Sequence, residues 1–346
     1  MTPPPQLTFP YASAPEIGDA TPLASGVLWL RMPLPGQLNH INVWALESGD
    51  GWTIVDTGLH SEETRAAWEK ALATPLKGRP VVQVISTHMH PDHVGVAGWL
   101  TRRFNCVFRM SRLEYLTCRT LVADTGREAP EDGVRFYRAA GWNDDELASY
   151  RQRFGTFGKM IDEMPDSYRR LEDGDGLELG AHSWRIVVGR GHSPEHACLY
   201  CEELKLLISG DQVLPRISSN VSLFPTEPEA DPLSEWLDSL ARIKASIPDD
   251  VLVLPAHGFP FRGLHARLDH LIADHVSGLE KLEAGLAKPR RVVDVFEFLF
   301  NRPIRGELLL GMATGESLAH LAWLRKRGRI SREADQAGVD WYRAIS

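Results

Sequence analysis

Val81-Val82-Gln83-Val84-Ile85-Ser86-Thr87 is dense in β-branched residues and runs straight into His88-Met89-His90-Pro91-Asp92-His93. The first part reads as a buried strand and the second as the tight loop at its end. Three imidazoles and a carboxylate packed this closely limit turn chemistry and add nothing to a core. They suit a borderline metal such as zinc, which takes nitrogen and oxygen donors in four- or five-coordinate geometry.

Three further positions share that placement. His192 follows the apolar strand 185–188 in Gly191-His192-Ser193-Pro194. Asp211 follows the strand 205–209 in Ser209-Gly210-Asp211, and His257 follows the strand 251–254 in Pro255-Ala256-His257-Gly258. Clefts form where strands end along one edge of a sheet, so these side chains can converge on the His88–His93 loop. Asp56, in Val55-Asp56-Thr57-Gly58, closes an earlier strand in the same way.

The sequence therefore resembles the metallo-β-lactamase fold superfamily. The carriers are HxHxDH at 88–93 with His192, Asp211, His257 and Asp56, over roughly residues 20–262. The resemblance implies an α/β (α+β) fold, an αββα sandwich. It implies a dinuclear site in which His88, His90 and His192 hold one metal and Asp92, His93 and His257 the other. Asp211 bridges them, Asp56 supports the ligands, and Asp92 or Asp211 orients the nucleophile or relays a proton; His196, by its closeness to His192 in the chain, is a candidate support as well. Two Zn2+ ions are expected, with Fe or Mn as substitutes. An aspartate at 211 sets the chain apart from the true β-lactamases and aligns it with the glyoxalase II, lactonase and tRNA-processing branches. The implied reaction is attack of a metal-bridging hydroxide on a thioester, ester or lactone carbonyl. Two other readings stay open, a nucleic-acid-processing phosphodiesterase and a mononuclear-iron sulfur dioxygenase.

Composition frames the rest. The 346 residues are 43% hydrophobic and 24% charged, ordinary for a globular chain, and the net charge of −8 argues against nucleic acid as the partner. A small acyl thioester or ester is the expected partner, no membrane is involved, and a homodimer is compatible. Met1–Pro10 shows neither a basic nor an apolar leader segment, and four cysteines are too few for a disulfide scaffold, which points to the cytoplasm. Cys198 and Cys201 sit three apart on a strand, on opposite faces, so they do not form a metal pair. His60, His182, His265, His270 and His275 lack the strand-end context.

Residues 110–170 read as a helical insertion and 215–233 as a long loop, in which Arg216 and Asn220 stand out. The catalytic domain is placed at 1–262. Residues 263–346 are a small helical domain similar to a winged helix, with helices at about 263–287, 291–300 and 316–328 and a terminal hairpin. Arg325, Lys326, Arg327 and Arg329 form its basic cluster. Leu318, Leu321 and Leu324 have core spacing, so packing on the catalytic domain is its expected role.

Overall fold

Alternating apolar residues build two sheets that face each other. In the computed structural model, which describes residues 6–36 and 38–345, the first sheet holds β1 (Ala20–Ala24), β2 (Val27–Pro33), β3 (His40–Ser48), β4 (Gly51–Val55), β5 (Val81–Ile85), β6 (Val107–Ser111) and β7 (Arg169–Leu171) in that order. Residues 1–5 of the N-terminal stretch inspected for a leader lie outside the described residues. Neighbours β1 to β4 are antiparallel and β4 to β7 parallel. The second sheet is β12 (Leu252–Pro255), β11 (Leu206–Gly210), β10 (His196–Cys201), β9 (His182–Gly189) and β8 (Gly176–Leu179). Only β11 and β12 are parallel there, so β9, β11 and β12 all run one way.

The period of two sorts each strand between layers. On β3, Trp44 and Leu46 enter the core between the sheets, while Ile41, Val43 and Ala45 face the helices outside. That outer layer is α1 (Glu62–Ala73), α2 (Pro91–Val94), α3 (Ala97–Phe104) and α4 (Arg112–Ala123). Ser61 caps α1, its hydroxyl accepting from the Thr64 amide at 3.1 Å. On β10, Cys198 and Tyr200 face outward, and Ala197, Leu199 and Cys201 face inward. The two cysteines of the CxxC are thus on opposite faces, as their spacing requires.

The insertion is helical as expected, with α4, α5 (Glu131–Ala139) and α6 (Asp144–Arg153), but β6 and β7 fix both its ends to the first sheet. Helix α7 (Pro232–Ser246) covers the second sheet. Beyond it come α8 (Leu264–Gly285), α9 (Phe296–Leu299), α10 (Glu307–Lys326) and the hairpin of β13 (Ile330–Ala334) and β14 (Asp340–Ala344). Helix α10 begins nine residues before the expected 316, because it runs unbroken through Gly311 and Gly315.

The C-terminal residues share the apolar core that covers the second sheet. Leu268, Leu279, Leu318 and Leu321 pack in one apolar cluster with Val187, Leu207 and Trp236. Each such side chain contributes about 1.5–3 kcal/mol when fully buried. The leucines at core spacing on α10 are therefore packed inward, as expected. Its basic cluster is largely taken up within the chain, Arg325 by Glu229, Arg327 by Asp231 and Arg329 by Glu283. Among the described residues no helix is long and apolar enough to cross a membrane.

His275 on α8 and His320 on α10 meet inside this cluster, ring centroids 5.3 Å apart. His320 donates Nδ1–H to the Glu316 carbonyl at 2.8 Å, which leaves its Nε2 bare to accept from His275 Nδ1 at 3.2 Å. Burial holds both rings neutral and pushes their pKa values down, to about 3 for His275 and about 4 for His320. The unfolded chain takes up these protons near 6.5, so the stabilisation is complete above that pH and is lost as pH falls below it. The loss is about 1.4 kcal/mol per pH unit per histidine between pH 6.5 and about 4. In urea titrations at pH 7, 6 and 5, His275→Leu is expected to lose stability less steeply than the parent chain.

Candidate metal centre

Five loops end at one edge of the sandwich, each launched by a strand. β4 delivers Asp56, β5 the loop His88–His93, β9 His192, β11 Asp211 and β12 His257. Pro91 opens the single turn α2, which carries Asp92 and His93 back over the strand end.

The seven expected ligands come together. The donor atoms of His88, His90, His192 and Asp211 lie within 4.8 Å of one another, as do those of Asp92, His93 and His257. The two oxygens of Asp211 divide between the groups. Oδ2 is 3.4 Å from His192 Nε2, and Oδ1 is 3.6 and 3.5 Å from Nε2 of His93 and His257. Asp92 Oδ2 is 3.3 Å from His257 Nε2. His93 Nε2, His192 Nε2 and Asp211 Oδ1 are buried without a hydrogen-bond partner. Orphaned acceptors of this kind are costly unless a ligand satisfies them. Bare imidazole nitrogens and carboxylates aimed at two common points fit a pair of divalent cations.

Electrostatics agree with that fit. Burial, with the neighbouring rings of His93 and His90, holds the His88 pKa well below its usual value, and burial puts that of His90 at about 3. Burial opposes protonation of His93, but the carboxylates of Asp56, Asp92 and Asp211 outweigh it and push its pKa well up. Burial also works against the Asp211 carboxylate, yet His257 and His93 hold its pKa far below the ordinary range. Cationic charge is favoured here, which bound cations supply.

The supporting groups set each tautomer. Asp56 adopts φ 61°, in the left-handed region that aspartate tolerates. Its carboxylate accepts from the Thr87 amide at 2.8 Å, from the Thr87 hydroxyl, and from His93 Nδ1–H at 2.8 Å. His93 Nε2 is thereby left bare toward the centre. His192 Nδ1–H donates to the Asn220 carbonyl at 2.8 Å, and His257 Nδ1–H to the His40 carbonyl at 3.0 Å. His196 accepts the Asp211 amide on Nε2 at 3.0 Å and stacks on His88 at 4.8 Å. Gly210 makes room for that ring, since a Cβ there would stand 2.5 Å from His196 Nε2.

Sequence reasoning missed Glu114. It lies fully buried on α4 and accepts from the Met89 amide at 2.9 Å, the Ser193 hydroxyl at 2.6 Å and the Glu195 amide at 2.7 Å. One carboxylate thus pins the loop of His88 and His90 to the loop of His192. His40 was missed as well. Its Nε2 accepts from the Gly258 amide at 3.0 Å beside His257. Asn220 is the loop residue that matters, whereas Arg216 lies over the Phe9 ring. His60, His182, His265, His270 and His275 bond elsewhere, as expected.

A brace from α10 reaches the centre through Asn220. Glu316 accepts from Asn220 Nδ2 at 2.9 Å, the Met312 carbonyl accepts from the same group at 3.3 Å, and the Leu223 amide donates to the Gly315 carbonyl at 3.0 Å. Desolvation pushes the Glu316 carboxyl up to about 7, against the Asn220 hydrogen bond.

Comparison with known proteins follows this geometry. Residues 36–257 match the metallo-beta-lactamase superfamily, and residues 279–345 match the metallo-beta-lactamase-like C-terminal domain. A solved structure of a beta-lactamase domain protein from Burkholderia ambifaria is 40% identical, with a TM-score of 0.90 over 98% of both chains. A probable metallo-hydrolase, YqjP, of Bacillus subtilis is 25% identical over 88% of this chain and 94% of its own. The acyl-coenzyme A thioesterase MBLAC2 of Gallus gallus is 26% identical, over 56% of this chain and 64% of its own.

Metal titration against a chromophoric chelator tests the supports separately from turnover. Asp56→Asn is expected to weaken binding of one of two zinc ions by roughly 10–100-fold. Glu316→Ala, one link further out, is expected to cost about 10-fold, the lower end of that range. Glu316→Gln keeps the acceptor for Asn220 and retains most of the affinity.

Proposed function

The chain belongs to the metallo-beta-lactamase superfamily, and on that premise we propose that it is a dinuclear metal-dependent hydrolase that delivers hydroxide to the carbonyl of a thioester or ester, lactones included. The observation that carries the reading is Asp211, whose two oxygens face two separate groups of bare donors. The metal pair, with zinc as the preferred ion and Fe or Mn as substitutes, supplies Lewis acidity toward the carbonyl and acidifies water at neutral pH.

The chain's own groups do the rest. His88, His90 and His192 would hold one cation and Asp92, His93 and His257 the other, with one oxygen of Asp211 facing each group. Asp92 lines the cleft beside His257, so its carboxylate is placed to take and return a proton at the reacting oxygen or sulfur. Asp56 and the carbonyls of Asn220 and His40 each take an Nδ1–H, so Nε2 of His93, His192 and His257 is the nitrogen turned toward the centre. The named activity of MBLAC2 supports a thioester among the acyl substrates. The pairing of Arg325, Arg327 and Arg329 with acids of the same chain weighs against a nucleic-acid substrate. Two full donor groups weigh against the single-iron dioxygenase reading.

A panel assay tests this reading. Zinc-loaded protein is offered glutathione and coenzyme A thioesters, a homoserine lactone and a short RNA. Thioester or lactone turnover is expected, abolished by chelation and reduced roughly 10²–10⁴-fold in Asp211→Ala. Cleavage of RNA alone would overturn the acyl reading.

A further inference from the structure

We propose that the cleft above the metal centre is an acyl-binding site walled by the C-terminal helix α10, and that the substrate carries an apolar acyl part of six or more carbons. The inference rests on the acyl-hydrolase reading and narrows its substrate.

Thirteen large apolar side chains are exposed among the described residues. Single exposed apolar residues are normal on a protein surface, but a contiguous group marks a binding surface. Five of the thirteen, Leu38, Ile217, Phe224, Leu308 and Met312, line one cleft of about 540 Å³ whose lining also includes Asp92, His192, Asp211 and His257. They come from three segments far apart in sequence: the loop before β3, the loop after β11 and the first turns of α10. Leu308 is the most exposed of them, at 70%. Trp142, Tyr150 and Phe154 of the insertion extend the same apolar lining.

The charge pattern assigns the cleft to the acyl half of the substrate. Arg153 is the one lysine or arginine among its lining residues, and it is paired with Glu307 at 2.8 Å. Nothing there offers an unpaired lysine or arginine to a phosphate or carboxylate of a carrier. The volume falls in the range that takes ligands much larger than an acetyl group.

Helix α10 shapes the wall with one stripe. Leu308, Met312 and Glu316 follow one another at four-residue spacing and so share a face. Its N-terminal part borders the cleft and its next turn braces Asn220. Gly311 also borders the cleft, and a Cβ at that position would meet nothing within 4 Å. Glycine weakens a helix interior, and here it leaves open the space that a side chain would fill.

The test uses the full, zinc-loaded chain and N-acetylcysteamine thioesters from acetyl to decanoyl, a carrier too small to dominate recognition. kcat/KM is expected to rise about two- to fourfold per methylene until the cleft is filled, as transfer of a CH₂ group from water predicts. Leu308→Glu and Gly311→Leu are each expected to lower the decanoyl-to-acetyl ratio at least about tenfold. The first changes a surface residue and the second raises helix propensity, so both fold. Calorimetry with the unreactive S-octyl and S-ethyl thioethers of N-acetylcysteamine gives a readout apart from turnover. Tighter binding of the octyl compound, weakened in both variants, supports the site. Turnover with no dependence on chain length, or variants that keep the parent ratio, would overturn it and leave the hydrolase reading in place. No turnover of any thioester, with octyl-selective binding retained, would instead sink the hydrolase reading and keep the apolar site. Loss of both turnover and chain-length-dependent binding would overturn both.

Discussion

A single carboxylate beneath the metal loop sets the conditions for everything above it. Asp56 is buried at the end of β4, one strand from β5, and holds the Thr87 amide, the Thr87 hydroxyl and His93 Nδ1 at once. A buried carboxyl group is costly unless its oxygens are hydrogen-bonded. Here the pairing is complete only if β4 and β5 are adjacent and parallel and the loop after β5 turns back over both. The same bonds fix which nitrogen of His93 faces the centre. Fold and ligand geometry thus share one constraint.

The remaining ligands follow from strand direction. β9, β11 and β12 run one way in the second sheet, so His192, Asp211 and His257 leave it at one edge. The cores on both sides of each sheet hold those strands in register, and the loops need only one residue each to reach the centre. Glu114 then corrects for the distance between the sheets by tying Met89 to Ser193 and Glu195.

What was legible in the sequence is what local pattern encodes. Apolar strands such as Val81–Ile85 and Leu252–Pro255, and the donors just past their ends, can be read from neighbours in the chain. The short strands Ala20–Ala24, Arg169–Leu171 and Gly176–Leu179 escaped because they mix exposed and charged positions with too few apolar ones to show a period. Glu114 escaped because its partner Ser193 is 79 residues away. The Asn220 and His40 carbonyls escaped for a different reason: every residue has a backbone carbonyl, so an acceptor of this kind leaves no mark in the sequence. Helix α10 was placed too late because Gly315, just ahead of 316, and Gly311 both weaken a helical pattern, whereas both lie within the helix and the missing side chain of Gly311 faces open space.

That glycine bears on how the C-terminal region relates to the metal centre. A helix that only packed on the second sheet would need one apolar stripe, and Leu318, Leu321 and Leu324 provide it. Near its start α10 carries residues that do not serve that stripe: an exposed leucine, a glycine, and a glutamate whose desolvated carboxyl is raised to about 7. The glycine is unfavourable in a helix interior and the desolvated carboxyl in a core. Together they border the cleft at Leu308 and Gly311 and hold the loop of Asn220 at Glu316. Local rules are broken where a structure serves a site rather than its own stability. The placement of these exceptions at the cleft and at the Asn220 loop, whose carbonyl takes His192 Nδ1–H, links the C-terminal helix to the candidate metal centre.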